Sequence, residues 1–147
     1  MPITITAANE THRDEIIALL DAEHLPAGDL PGMLDNFSLA VDGDAVVGVA
    51  GLEQYGKYGL LRSVVVSSVY RNNRIALQLV NAVEKRAEVL GLKTIYLLTE
   101  TAERYFAAKG YTTVQREEVP EAIKMSSEFS HVCPVSAAVM KKEIVTI

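Results

Sequence analysis

The chain has 147 residues, 49% of them hydrophobic and 22% charged, with nine glycines and five prolines; this is one domain's length with ample core material, and it excludes a disordered or low-complexity protein. The formal charge of −5 argues against nucleic acid as a main partner, because phosphate contacts need a surplus of Lys and Arg on one face. No apolar run reaches membrane-spanning length, the first residues have no basic stretch leading into an apolar one, and the single cysteine, Cys133, leaves no internal disulfide, so a cytoplasmic protein without a membrane partner is expected.

From the N-terminus, Ile3 to Thr6 alternates as a strand, and Thr11 is placed to cap a helix whose apolar face is Ile16, Ile17 and Leu20. Leu25 to Gly32, with Pro26, Gly28 and Pro31, reads as a loop or broken helix. Ser38 to Val41, an Asp42-Gly43 turn and Ala45 to Tyr55 make a hairpin, and a further turn around Gly56 and Gly59 leads into Leu60 to Val66. The period then changes. Ile75, Leu79, Val83, Ala87 and Leu90 fall four, four, four and three apart, one apolar stripe of a helix that Gly91 ends. Thr94 to Thr99 reads as a buried strand, Thr101 to Lys109 as a helix closed by Gly110, and Tyr111 to Gln115 as a strand. Pro120 suits the first turn of a helix reaching about His131, and Val135 to Met140 is the last strand. With no repeat or linker, residues 1–147 form a single domain, and a strand-helix-strand crossover after a run of hairpins predicts a mixed sheet with helices on its faces.

Between Val66 and Ile75 the chain passes from a strand into the start of a long helix. The unpaired N–H groups there and the helix dipole favour an anion by ~0.3–1 kcal/mol per exposed charge. Arg71 and Arg74 add two cations at the mouth, so a pyrophosphate would fit.

This stretch resembles the GNAT family of acyl-CoA-dependent N-acetyltransferases. Their motif follows a strand with Arg/Gln-x-x-Gly-x-Gly/Ala opening a helix, and Val66, Tyr70, Arg71, Ile75 and Ala76 match in register. Arg74 replaces the middle Gly, and Asn72 the Gly often seen after the Arg. Asparagine tolerates left-handed backbone; arginine has no such excuse. The Tyr-Arg-Asn-Asn-Arg loop and the run from Tyr96 to Lys124 look like the acetyltransferase domain of bacterial N-acetylglutamate synthases. Closer still are small GNAT enzymes encoded beside arsenic-resistance genes, which share the Leu-Leu-Arg-Ser strand, Leu-Leu-Thr, the pair Glu128-Phe129 and Cys-Pro-x-Ser-Ala as at Cys133 to Ala137.

The resemblance, covering roughly Val46 to Lys142, implies the GNAT fold: an α/β (α+β) domain with a central mixed, mainly antiparallel sheet flanked by helices. It implies acetyl-CoA as co-substrate without a metal. The backbone of Val64, Val65 and Val66 would receive the pantetheine arm, and Arg71, Asn72, Asn73, Arg74, Ile75 and Ala76 the pyrophosphate. Family habit admits a homodimer through the last strands.

Acetyl transfer to an amine needs a neutral amine beside an activated acyl carbon, with proximity worth up to ~7–11 kcal/mol and proton transfer ~10²–10⁴ in rate. Alternation puts Val47, Val49, Gly51 and Glu53 on one strand face, so Glu53 is the candidate to relay the amine proton through water or to hold the substrate ammonium; an exposed strand-end glutamate is the equal rival. Arg62 shares parity with Val64 and Val66 and could grip a substrate carboxylate. Thr99, at the strand end beside this site by analogy, could orient the substrate. Many family members carry a tyrosine acid four residues before the glycine that ends the next helix; here that position is Phe106, and Tyr105 lies ~100° away around the helix, so both are read as core. His131 and Cys133 show no activating partner, and His12, His24 and His131 lack metal-ligand spacing.

The resulting expectation is an N-acetyltransferase whose acceptor is a small amino acid or analogue, glutamate-like and including arsinothricin or phosphinothricin, attacked directly in a ternary complex. A protein or peptide N-terminus is the alternative acceptor. A non-catalytic module that binds CoA or an amino acid is the rival from another class, kept open by Arg74 and Phe106, and an interaction domain without ligand is a third.

Overall fold

The computed structural model describes residues 3–25, 30, 34–71, 74–100, 102–126 and 137–144. Among these, strands β1 (Thr4–Ala7), β2 (Phe37–Asp42), β3 (Ala45–Tyr55), β4 (Tyr58–Val66), β5 (Thr94–Thr99), β6 (Thr112–Val114) and β7 (Ala138–Glu143) form one sheet in the order β1-β2-β3-β4-β5-β7-β6. Helices α1 (Arg13–Ala22), α2 (Ile75–Val89), α3 (Glu103–Ala108) and α4 (Glu121–Lys124) join them. β4 and β5 run parallel and every other neighbouring pair antiparallel, the mixed sheet that the order of elements predicts. The crossover between the parallel strands is α2.

The stripe of α2 packs as its spacing requires. Ile75, Leu79, Val83 and Ala87 are buried against Ala40, Ala50, Leu52, Leu61 and Val66 on one face of the sheet, and Leu90 packs at its edge. On the other face, Ile16, Leu19 and Leu20 of α1 meet Phe37, Leu39, Val49 and Val65. Leu19 thus takes the place expected for Ile17, which is half-buried. The α1 start differs too: Asn9, not Thr11, is the cap, its side chain accepting from the Thr11 N–H at the head of a 3-10 turn over Glu10–His12. Farther along, α4 begins after Pro120 and its described part is one turn, while β7 begins at Ala138, and Val135 and Ser136 of the expected strand lie outside the described residues.

Two bulges break the strand alternation. Ala40 faces Gly48 but Val41 faces Val46, so Val47 is an extra residue on β3; it enters the α2-side core while Val49 enters the α1-side core. Val49 faces Val65 but Gly51 faces Arg62, so β4 also carries an extra residue, and Ser63 there is left-handed at φ 58. The row of Val47, Val49, Gly51 and Glu53 therefore begins only at Val49. Likewise Arg62 shares its face with Leu60 and Val65, opposite to Val64 and Val66. Gly51 on this face can carry no side chain, since a Cβ would stand 2.5 Å from the Phe37 ring.

Behind α2, the Tyr111 hydroxyl donates to the Glu84 carboxylate at 3.0 Å, as does the Lys142 ammonium at 3.0 Å. Burial, then the Glu84 charge, pushes the Tyr111 phenol well above its ordinary range. Below about pH 10 the phenol is protonated in both folded and unfolded chains. Above that the unfolded chain ionises first, so stability is lost as pH rises. Denaturant melts at about pH 9 and about pH 11 should show Tyr111→Phe losing less stability than the parent; equal losses would remove Tyr111 as the cause.

Candidate functional site

The site begins where β4 and β5 part. They pair only from Tyr58 to Leu60 against Thr94 to Tyr96, whereas β5 stays bonded to β7 from Thr94 to Thr99. Beyond Leu60 the edge of β4 toward β5 has no strand partner among the described residues, so the backbone groups of Val64 to Val66 on that side are paired with no described strand. Such groups call for a partner, and an extended chain with its own amides would supply one.

At the far end of β4, a cleft of about 670 Å³ is lined by Val66, Tyr70, Arg71, Arg74, Ile75, Ala76, Leu77, Tyr105 and Lys109. It holds three cations and no carboxylate among its lining residues. One wall is the first turn of the 15-residue α2. Arg74 stands at the helix N-cap with φ 59 and ψ 21, and its side chain does not cap the turn. The first N–H groups of α2 are thus open to an anion in the cleft. Tyr70 fixes the loop by donating to Asp42 at 2.7 Å, and Arg71 is paired with Glu23 just past the end of α1.

Arg74 therefore occupies the glycine position in backbone as well as in sequence. Left-handed backbone costs a side-chain-bearing residue ~1–2 kcal/mol, of which glycine's own chain entropy would return part. Arg74→Gly should gain on the order of 0.5–1 kcal/mol in denaturant melts and weaken anion binding severalfold through the lost charge. An unchanged or lower stability would contradict the strain.

The second group of polar side chains lies on the opposite face. Arg62 is 2% exposed, and its Nη1 donates to the Glu53 carboxylate at 3.3 Å while its Nε donates to the Ser63 hydroxyl at 3.0 Å. The Tyr55 hydroxyl donates to the other Glu53 oxygen at 3.0 Å, and Ser126 hydrogen-bonds Tyr55. Burial and then the Glu53 charge push the Tyr55 phenol up to about 12, so it stays a donor at neutral pH. Glu53 is clamped between a hydroxyl and a guanidinium, yet retains some exposure. A carboxylate so held keeps one orientation and can still receive an ammonium or a water.

Thr99 supports the local backbone, its hydroxyl accepting from the Ala102 N–H at 2.9 Å at the entry to α3. Phe106 is in the α2-side core, as expected. Tyr105 is not core. It is 37% exposed and lines the cleft. Asn72, Asn73, Glu128, Phe129, His131 and Cys133 lie outside the described residues.

Residues 7–112 match the acetyltransferase (GNAT) family. The chain belongs to that family. Its sequence is 28% identical over 91 residues to an amino-acid acetyltransferase of Pseudomonas fluorescens, covering 60% of this chain and 21% of that protein. In fold it is similar to N-acetylglutamate synthase from Neisseria gonorrhoeae, solved with coenzyme A and N-acetyl-glutamate, at a TM-score of 0.83 and 16% identity over 99% of this chain and 36% of that one. It is also similar to a Mycobacterium tuberculosis protein solved with CoA, at a TM-score of 0.78 and 21% identity over 97% of this chain and 99% of that one. The chain thus spans about a fifth of the curated relative (21%) and about a third of the synthase (36%).

Within this GNAT domain, sequence reasoning missed Tyr55, Glu23 and Lys109, and read Tyr105 as core. Tyr55 was within reach, lying two positions after Glu53 and so on the same strand face. Glu23 and Lys109 gave no local signal, because their roles depend on which elements pack beside the loop.

Proposed function

We propose that this protein is an acetyl-CoA-dependent N-acetyltransferase acting on the amino group of a small amino acid or analogue, glutamate-like and of the arsinothricin or phosphinothricin type. What carries the reading is the gap between β4 and β5, with the cationic cleft on the α2 side and the Glu53–Arg62 pair on the α1 side. Donor and acceptor would approach from opposite faces and meet in the gap, the geometry that direct attack in a ternary complex requires.

The residues present fit the co-substrate. The open β4 edge at Val64, Val65 and Val66 would hold the pantetheine amides, and Arg71, Asn72, Asn73, Arg74, Ile75 and Ala76 the pyrophosphate at the helix start. Acetyl-CoA supplies an activated acyl carbon and a thiol leaving group. Glu53 takes the ammonium proton through water, leaving a neutral amine to attack, while Tyr55 and Arg62 keep the carboxylate aimed. Acceptor binding would have to uncover the Arg62 side chain, which is 0% exposed; its guanidinium would then meet the acceptor carboxylate, so that a zwitterion meets one charge of each sign. Thr99 borders the same gap from β5. With Phe106 in the core, water returns the proton to the departing sulfur.

The acceptor class is tested by rates with glutamate-like amino acids and with their α-amides, for the parent and for Arg62→Ala. The variant should raise KM for the amino acids by roughly 30-fold or more and change KM for the amides little. Comparing the two substrates on one preparation cancels any loss of folded protein. Equal changes for both would remove Arg62 from carboxylate recognition, and failure of every free amino acid beside turnover of peptides would favour the peptide acceptor. Turnover of either kind excludes the non-catalytic module.

A further inference from the structure

The cleft has two walls. The α2 start and the loop provide Arg71 and Arg74 on one side; Tyr105 and Lys109 of the α3 region provide the other. These two are one helical turn apart and share a face, because Phe106 is turned into the core and fixes the roll of α3. The Lys109 ammonium lies 5.4 Å from the centre of the Tyr105 ring, a cation–π contact that restrains a flexible side chain at the mouth of the cleft. Lys124, Lys141 and Lys142 each pair with a carboxylate; Lys109 has no such pair among the described residues. In a chain of net charge −5, a cleft lined by Arg71, Arg74 and a restrained Lys109, with no carboxylate among its lining residues, is a local positive field that attracts an anion.

A pyrophosphate uses the N–H groups of α2 with Arg71 and Arg74, and it leaves the cation on the opposite wall without a counter-charge. Coenzyme A carries a further phosphate, on the ribose 3′ position. We infer that Lys109, held by the Tyr105 ring, binds this 3′-phosphate and makes the protein select coenzyme A over its 3′-dephospho form. The inference rests on the acetyl-CoA reading of the cleft and adds to it a residue and a discrimination.

Calorimetric titration of the full chain with acetyl-CoA and with acetyl-3′-dephospho-CoA tests it, using the parent, Lys109→Met and Tyr105→Leu. Methionine keeps an unbranched apolar stem and removes only the charge. The parent should bind acetyl-CoA roughly five- to tenfold more tightly than the dephospho form. Lys109→Met should lose that preference while binding the dephospho form as the parent does, and Tyr105→Leu should reduce the preference in part. Equal weakening toward both ligands would assign Lys109 to the pyrophosphate or to general attraction and overturn the inference. So would a parent that binds both equally well. A parent that binds neither would defeat the acetyl-CoA reading itself, an outcome distinct from the other two.

Discussion

Glu53→Gln should lower kcat for amino acceptors by about 10²–10³ while leaving acetyl-CoA affinity within twofold, the range expected when a proton acceptor is removed without disturbing binding. Glutamine keeps the shape and can still accept from Tyr55, whose hydroxyl is 3.0 Å from Glu53 Oε1, but it cannot take a proton from an ammonium. It also leaves Arg62 facing an amide 3.3 Å away in place of a carboxylate. To separate lost proton transfer from a disturbed Arg62, Tyr55→Phe serves as the companion. It removes one hydrogen bond to Glu53 and keeps the charge, so its kcat should fall by about tenfold or less. Steady-state rates and calorimetry with acetyl-CoA are the measurements. A Glu53→Gln enzyme within threefold of the parent would return Glu53 to the exposed strand-end glutamate that sequence alone left as its equal rival.

Reversing the charge at Arg71 should weaken acetyl-CoA binding by about 10²-fold, since an attraction to phosphate becomes a repulsion beside the open N–H groups of α2. Arg71 is exposed and already paired with Glu23, so Arg71→Glu also sets two carboxylates together at the end of α1. Glu23→Gln separates the effects. It releases Arg71 from its partner and should leave acetyl-CoA affinity unchanged or raise it, most visibly at low ionic strength, where exposed charges are least screened. Calorimetric affinities at low and at physiological salt report both variants. Arg71→Glu binding acetyl-CoA within threefold of the parent would mean that the loop is a solvated turn and that the arginine is not part of a phosphate cradle.

Local patterns were enough for much of the architecture. The stripe of α2 needed only its period and Gly91, which closes the helix with φ 73, and the β3–β4 hairpin needed only its turn at Gly56 with φ 64. Arg71 and Arg74 could be placed at the mouth of a helix start because the change of period near Ile75 marks that start. Strand faces were harder to read, because alternation holds only while each strand contributes one residue per pairing step. Extra residues at Val47 on β3 and beside Ser63 on β4 depend on the partner strands, and each moves every following side chain to the other face. That is why Arg62 parts from Val64 and Val66 and turns to meet Glu53.

Period, turn chemistry and a motif are properties of neighbouring residues, so the elements, the family and the cationic loop were legible in the chain before it folds. Packing had to settle that β4 and β5 separate after Leu60 and Tyr96, that Glu53 is held by Tyr55 and Arg62, and that Tyr105 and Lys109 face the loop. Most of these relations join residues far apart in the chain. Their positions follow from register, bulges and the roll of packed helices, which are fixed by the energy of the assembled core and not by any one segment.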